Sequence, residues 1–536
     1  MSTNVSKEKR EKLVEKIKAI KMYIATAEQD ENTARLLTYI AEIEKDIKNK
    51  KYGLVFEEHR EGIDETLENN LPVLTEEESL FIDNGGQMNF LIEGDNLASL
   101  KLLEKTHKGK IDLIYIDPPY NTGNKDFVYD DTFIDGNDTF RHSKWLSFME
   151  KRLAVARTLL SNKGAIFISI DEHEFAQLKI LCDTVFGEDN FVDCICWDKK
   201  SSAKGVPPKN MLVNVHEYIL VYSISKQFSF LGEDRDISSF SNPDNDPRGL
   251  WRNTNIKSTV KSRDSAFTII DPETGNSFTD TWAFSEKELN RLIMEGYILF
   301  PKKANGQVRR KEFLNELRNE KKALKSSWGL FDNQKNTEML KALLPDVVFL
   351  NPKPLNLLEY LIKVVVPSTT ASTILDFFAG SGTTGHAVMK LNAEDGGQRK
   401  FILCTNNENN ICRDVTYERI KRVIDKENYS ASLKYFKVDF VPITDKLYYE
   451  YADDLLKYVK QLVELENGIN FNGNAEIAIL LTEEELDTFA LSIPKDCKTI
   501  YLGHDVLPSE EQEKVFKKKG IMVNIIPDYY YRDLEA

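Results

Sequence analysis

Two short runs in this sequence combine residue types that do chemistry. The first is Asp117-Pro118-Pro119-Tyr120, inside IDLIYIDPPYNTG. An ionised aspartate only accepts hydrogen bonds, and a carbonyl held by a proline ring is a second, rigid acceptor. Such a pair suits an exocyclic amine whose lone pair is delocalised into its ring, adenine N6 being the example. Holding both amino hydrogens lets the lone pair point at an electrophile. Tyr120 adds a flat face for an unstacked base, an interaction worth about 1–3 kcal/mol in single-strand sites. That use requires the base to leave the duplex. Alone, the run reads equally as a strand-to-loop turn, because prolines end a strand.

The second run is TILDFFAGSGTTGHAVM, residues 373–389. An apolar stretch ends in an acid, Asp376, and a glycine turn opens a helical pattern. Gly380 and Gly382 allow backbone to approach a ligand closely, and Thr383 and Thr384 are expected to cap the helix. The turn lacks the third glycine of a dinucleotide fingerprint and the Gly-Lys-Ser/Thr of a nucleotide-triphosphate loop. The next apolar run, KFILCTNNEN, leads to Glu408, an acid placed to accept from ribose hydroxyls or else to sit in an exposed loop.

The elements that must position these residues are short apolar runs. NFLIEG, IDLIYID, AIFISID, YILVYSI, TILDFFA and KFILCTN read as buried strands, and helical patterns such as Leu97–Thr106 and Trp145–Leu160 lie between several of them. The alternation predicts a largely parallel, doubly wound α/β sheet, with ligands outside the carboxyl ends of its strands. From about 228 to 345 the alternation stops, in a turn-rich, basic stretch holding Trp251, Trp282 and Trp328. Residues 7–50 predict a helical hairpin turning near Ala27–Asn32, with Leu13, Ile17, Ile20 and Ile24 facing Leu36, Ile40, Ile43 and Ile47 for packing or dimerisation. Asn121 to Arg141, with Phe127, Tyr129 and Phe133, predicts a loop over the pocket, mobile or packed. After about 430 an acidic region carries its own strand-like runs, AEIAILL, KTIYLG and IMVNIIP.

The 536 residues carry 71 Lys and Arg against 86 Asp and Glu, a net charge of -15. Nucleic-acid binding therefore needs a local basic surface. Arg248, Arg252, Lys257, Lys261 and Arg263 form one acid-free basic stretch; Lys302, Lys303, Arg309, Arg310 and Lys311 begin another. Six cysteines without paired C-x-x-C motifs make neither a disulfide framework nor a zinc site, and no metal is expected. The N-terminus lacks an apolar leader, so a cytoplasmic location is expected.

Together the two runs resemble the amino-methyltransferases of DNA. The Asp-Pro-Pro-Tyr motif precedes the glycine turn by about 260 residues, which is the order of the β-class, a circular permutation with the recognition domain between the motifs. The finer resemblance, over roughly residues 80–425, is to the modification (Mod) subunits of type III restriction–modification systems. It extends through LIEGDNLASL, DPPYNTG, FISIDEHE, VHEYILVYS and NPKPLNLLEYLI. It implies a doubly wound, Rossmann-like methyltransferase sheet, circularly permuted, divided as follows: a helical region 1–80, a catalytic half 81–227, a target-recognition insert 228–345, a cofactor half 346–430 and a small C-terminal α/β domain 431–536. It implies transfer of a methyl group from S-adenosyl-L-methionine to N6 of a flipped adenine in double-stranded DNA, with Asp117, Pro118, Pro119 and Tyr120 as the catalytic loop. Asp376, Phe378, Gly380, Gly382 and Thr383 would cradle the cofactor's methionine part. Glu408 would take its ribose, Asp95 would face its adenine, and Lys353 and Pro354 would border its carboxylate. Asp171, Glu172, His216 and Glu217 are assigned to scaffold and pocket walls. In the insert, Arg248, Trp251, Arg252, Lys257 and Lys261 are the DNA-binding candidates. The family also implies a homodimer and a separate restriction subunit with helicase and nuclease functions. Alternatives are N4-cytosine methylation, a solitary methyltransferase, an RNA substrate, a non-catalytic DNA-binding subunit and a nicotinamide oxidoreductase. The last leaves Asp117–Tyr120 unexplained.

Overall fold

The computed structural model describes residues 5–26, 31–48, 56–129, 132–135, 138–201, 211–303, 306–317, 321–347, 349, 351–443, 454–472 and 474–526. They form two compact units, one from residues 1–228 with 327–536 and one from Ser229 to Ser326.

The first unit is built on a ten-stranded sheet. Its strands in chain order are β1 (Asn70–Glu76), β2 (Gln87–Glu93), β3 (Ile111–Ile116), β4 (Leu160–Ile170), β5 (Phe191–Asp198), β6 (His216–Ser223), β7 (Ser327–Leu330), β8 (Thr373–Asp376), β9 (Lys400–Thr405) and β10 (Ala431–Pro442). In space they run β1-β10-β2-β9-β8-β3-β4-β6-β5-β7. All six apolar runs singled out in the sequence are strands of this sheet. β10, β2, β9, β8, β3 and β4 are parallel, whereas β6 is antiparallel to both its neighbours and β1 is antiparallel to β10. The central strands are continuous apolar runs because helices cover both faces.

β3 and β8 pair directly, with Leu113 opposite Ile374 and Ile114 opposite Leu375. From β3 the chain crosses through helix Arg141–Leu159 to β4; from β8 it crosses the other way through helix Thr383–Asp395 to β9. This is the switch point of a doubly wound sheet, where a crevice opens at the carboxyl ends.

Some boundaries differ from the sequence reading. Residues 327–345 group with the sheet unit, because Ser327–Leu330 pairs in parallel with β5. β1 and β10, drawn from the expected terminal regions, close one edge of the same sheet. Residues beyond 454 add helix Val459–Asn467 and a parallel sheet of Ile477–Leu480, Thr499–Leu502 and Met522–Ile525. Asn121–Arg141 contains a two-stranded hairpin, Asn124–Tyr129 with Thr132–Asp135; the side chains of Phe127, Tyr129 and Phe133 lie outside the described residues. Helices Val5–Thr26 and Glu31–Lys48 pack through Ile17, Ile24 and Ile40 with Leu37. Leu13, Ile20, Leu36 and Ile43, expected in that core, are about half exposed. The turn near Ala27 and the side chain of Ile47 also lie outside the described residues.

The second unit holds a three-stranded antiparallel sheet of Trp251–Asn255, Arg309–Phe313 and Ile298–Leu299, and the hairpin Phe267–Ile270/Ser277–Asp280. Its core is Ile256, Ile269, Phe278, Trp282, Leu289 and Leu292.

A buried cation ties the Val459–Asn467 helix to the sheet. Lys434 of β10 reaches Glu464 at 2.7 Å and Glu76 at 2.9 Å, and both Lys434 and Glu464 are fully buried. Removing one partner of such a pair leaves an uncompensated charge and costs about 3–5 kcal/mol. Lys434→Met should therefore lower the unfolding free energy, measured in denaturant, by that amount, with part of it recovered by adding Glu464→Gln. Equal stabilities for Lys434→Met and the wild type would show that the triad contributes nothing.

Candidate active site

At the switch point a cavity of about 1040 Å³ opens between the ends of β3 and β8. Asp117, Pro118, Pro119 and Tyr120 line it from one side; Asp376, Phe378, Gly380 and Thr383 line it from the other, with Lys353 between them. Residues about 260 apart in the chain thus meet because their strands are neighbours.

Lys353 is buried and bridges two carboxylates. Its Nζ lies 3.1 Å from Asp117 Oδ1 and 2.9 Å from Glu217 Oε2, and donates to the Tyr120 hydroxyl at 2.6 Å. It also stands 4.7 Å from the centre of the Tyr120 ring. The tyrosine hydroxyl in turn donates to Glu217 at 3.1 Å, and Lys199 reaches the other Glu217 oxygen at 3.2 Å. Burial would lower the Lys353 pKa, but Asp117 and Glu217 hold it above its ordinary value. Burial raises the Asp117 pKa, opposed by Lys353. For Glu217 burial works upward, yet Lys353 and Lys199 together bring its pKa below the usual carboxylate range. The wall therefore keeps two acids close to one another by placing cations between and beside them.

The loop is anchored from behind. Trp145 Nε1 donates to the Pro119 carbonyl at 2.7 Å. That bond occupies the Pro119 carbonyl, and Pro118, next to Asp117, lines the cavity.

The glycine turn is held by backbone conformation and by one arginine. Gly380 and Gly382 have φ of 49° and 71°, the left-handed region that only glycine enters without strain. A Cβ on Gly382 would stand 3.2 Å from Thr416 Cγ2. Gly382 itself is the N-cap of the Thr383–Asp395 helix, without a side-chain cap. The threonines expected to cap it bond elsewhere: Thr384 donates to Asp376 Oδ2 at 2.5 Å, and Thr383 accepts from Arg419 at 2.6 Å. Arg419 is fully buried and also bonds the Ser381 carbonyl and hydroxyl; burial pushes its pKa down to about 9.

Asp376 receives Thr384 and the Phe378 N–H at 3.0 Å, but no cation among the described residues. Burial pushes its pKa up to about 7, with the Asp117 charge adding to the rise. A buried acid without a counter-ion, facing a cavity, suits a ligand that brings positive charge.

Four expected cofactor residues are not among the cavity's lining. Asp95 caps helix Asn96–His107, accepting from Leu97 N at 2.7 Å and Ala98 N at 3.3 Å. Pro354 is the N-cap of helix Leu355–Val365. Gly382 is the N-cap of helix Thr383–Asp395, and Glu408 is exposed in a short turn after β9. Asp171 lines the cavity and, with Glu172 and His173, could bring three ligand atoms within 4.8 Å of one another. Asp171 already accepts from the His173 backbone at 3.0 Å.

In the second unit the five expected DNA-binding residues all have partners of their own. Arg248 pairs with Asp246 at 2.7 Å and lies over the Tyr297 and Phe313 rings. Arg252 pairs with Glu312 at 2.6 Å and Lys257 with Asp280. Lys261 donates to the Trp282 carbonyl at 2.8 Å, and buried Trp251 donates to Asp244 at 2.9 Å. Lys302 and Lys303 are exposed without an ion pair among the described residues.

A switch-point crevice with an acid-proline-proline-tyrosine loop on one strand end and a glycine turn on the next defines the class of the amino-methyltransferases. Residues 111–417 match the family model described as DNA methylase, and the chain belongs to that family. It is 34% identical over 382 residues to the type III restriction-modification enzyme StyLTI Mod subunit of Salmonella typhimurium, covering 65% of this chain and 57% of that one. It is 33% identical over 384 residues to the type II methyltransferase M.KpnI of Klebsiella pneumoniae, covering 65% and 90%. It is 30% identical over 435 residues to the EcoP15I Mod subunit of Escherichia coli, covering 66% of each. The chain thus spans little more than half the length of the StyLTI subunit.

The Asp376 environment makes a stability prediction. Its ordinary pKa is 3.8 and its folded value is about 7, so between about pH 4 and pH 7 the folded chain keeps a proton that the unfolded chain has lost. Stability from this group is complete below pH 4 and declines as pH rises toward 7. In thermal melts Asp376→Asn should match the wild type near pH 4 and melt higher near pH 7. Melting curves that stay parallel across this range would rule out the assignment.

Proposed function

We propose that the chain transfers a methyl group from S-adenosyl-L-methionine to N6 of an adenine flipped out of double-stranded DNA. The observation that carries this reading is the meeting of Asp117–Tyr120 with the glycine turn in one cavity at the β3/β8 switch point. The cofactor would supply an electrophilic methyl on a positively charged sulfur. Asp376, Phe378, Gly380 and Thr383 would hold its methionine part, with Asp376 offering the uncompensated negative charge that a cationic ligand needs. Glu408, exposed after β9, would take the cofactor's ribose, and Asp95, capping helix Asn96–His107, would face its adenine. Pro354, opening helix Leu355–Val365, would border its carboxylate with Lys353, and Gly382 would allow the turn's close approach.

On this reading Asp117 and the Pro118 carbonyl accept the two amino hydrogens and turn the nitrogen lone pair toward the methyl. Pro119 keeps the loop rigid, its carbonyl being bound to Trp145. Tyr120 gives the base a stacking face, with its ring set by Lys353 and Glu217. The positive charge that develops on the methylated amine is met by two carboxylates around one Lys353 cation, and Asp117 is the acceptor for the departing proton. Aspartate rather than serine at the motif's first position favours adenine over cytosine.

The similarity to Mod subunits supports a role as the modification subunit of a type III system, working in the cytoplasm with a restriction subunit. No helix among the described residues is long and apolar enough to cross a membrane. The Ser229–Ser326 unit is the proposed target-recognition domain. Arg248, Trp251, Arg252, Lys257 and Lys261 frame it, whereas Lys302 and Lys303 are available to phosphates. The exposed apolar positions Leu13, Ile20, Leu36 and Ile43 on the helical hairpin support a homodimer in which two hairpins bury them.

Genomic DNA from cells expressing the wild type should carry N6-methyladenine at one short motif. With Asp117→Ala the signal should fall roughly 100-fold or more, while cofactor affinity stays close to wild type. Methylation that survives this substitution, or modified cytosine in its place, refutes the reading. Changing Lys302 and Lys303 together to alanine should reduce the salt slope of DNA binding by about 0.9 for each phosphate that is no longer neutralised. An unaltered slope removes both from the interface.

A further inference from the structure

Asn121 follows the catalytic loop directly and has a left-handed backbone, φ 57°, although it is not glycine. It is buried, and its carboxamide Nδ2 donates to Glu174 Oε1 at 2.5 Å and to the Arg141 carbonyl at 3.2 Å. Glu174, in the loop after β4, is completely buried. The same Oε1 receives His142 Nδ1 at 2.6 Å, and Arg141 Nε donates to His142 Nε2 at 3.2 Å. That pattern fixes the imidazole as an Nδ1–H donor. Burial raises the Glu174 pKa; Asn121 and His142 oppose the rise. Asn121 Oδ1 and Glu174 Oε2 are buried without a hydrogen-bond partner among the described residues, so the cluster bears a cost that the fold retains. Helix Arg141–Leu159 thus grips the loop twice, at Pro119 through Trp145 and at Asn121 through Glu174 and His142.

Resting on the methyltransferase reading, we propose that Asn121, Glu174 and His142 form a latch of positioning residues that holds Asp117–Tyr120 in its reactive geometry. None of them belongs to the cavity lining, so the latch acts through the backbone of the loop. Asn121 links the left-handed turn to the buried carboxylate, and Glu174 carries that constraint to the helix and to β4. Glycine would adopt the same φ, but only a carboxamide can adopt it and also be tied down.

The test uses the full chain with three variants. Asn121→Gly keeps the left-handed backbone accessible and removes only the tether. It should lower kcat about 10- to 100-fold, since misplacing reacting groups by about 1 Å costs up to about 100-fold. Cofactor affinity by calorimetry should stay within about twofold. A 2-aminopurine placed at the target adenine should report a less ordered flipped base, and amide exchange across Tyr120–Gly123 should accelerate. Glu174→Gln retains an acceptor for Asn121 and should keep most of the activity, whereas Glu174→Ala should behave like Asn121→Gly. Wild-type kcat and exchange in Asn121→Gly overturn the latch, as does a fall in cofactor affinity in step with kcat. If Glu174→Ala does not fold, Asn121→Gly decides alone. A wild type that methylates no DNA overturns the function reading, and the exchange measurement then still decides the latch.

Discussion

The parallel pairing of β3 with β8 is the constraint on which the site depends. Adjacent parallel strands lie about 5 Å apart, so the ladder that sets Leu375 opposite Ile114 brings Asp376 and the Asp117 loop to the same edge of the sheet. Because the chain leaves the two strands in opposite directions, no crossover helix fills the gap at their carboxyl ends, and the cavity forms there. The long separation of the two motifs is then immaterial to the chemistry, and the intervening residues can fold as a unit of their own.

That adjacency creates an electrostatic problem. Asp117, Glu217 and Asp376 all line one cavity, where like charges raise one another's pKa. Lys353 relieves the first two by standing between them. Asp376 has no such partner among the described residues, so nothing cationic offsets the rise in its pKa that burial causes and the Asp117 charge adds to. The unequal treatment divides the cavity into a neutralised end and an end with unmet acidity. On the proposed reading the first would take a neutral base and the second a cationic cofactor.

The central strands and both motifs are legible in the sequence because each is a continuous apolar run followed by residues of distinctive type. Three residues are not. Glu217 reads as a wall residue when chemistry is sought after each run. β6 is antiparallel, however, so its first residues, His216 and Glu217, lie at the carboxyl edge of its parallel neighbours. Lys353 reads as a neighbour of the cofactor carboxylate, and its bonds to Asp117 and Glu217 depend on side chains more than 100 residues away. Arg419 sits in a helix with ordinary amphipathic spacing, so nothing in its neighbourhood announces a buried cation under the glycine turn. The partners of the insert's basic residues are hidden for a related reason. Composition marks Arg248, Arg252 and Lys257 as a patch, yet acids distant in sequence, Glu312 and Asp280 among them, neutralise two of the three.

Among the left-handed residues, Asn351 and Gly380 line the cavity, and Asn121 and Gly382 adjoin residues that do. The two glycines and the two asparagines answer different demands. At Gly380 a Cβ would make ordinary contact with Phe349 at 3.5 Å, so the left-handed backbone is the demand there; at Gly382 a Cβ would also be crowded, 3.2 Å from Thr416. Asparagine costs more than glycine in this region but tolerates it better than other side chains, because its short amide bonds locally. At Asn121 the amide instead reaches a buried glutamate 53 residues on, turning a local backbone preference into a tertiary fastening. Strain of this kind persists only where surrounding structure over-determines it. The Asp117–Tyr120 loop, gripped at Pro119 and Asn121 from one helix, meets that condition, while the glycine turn keeps the openness that a ligand's approach requires.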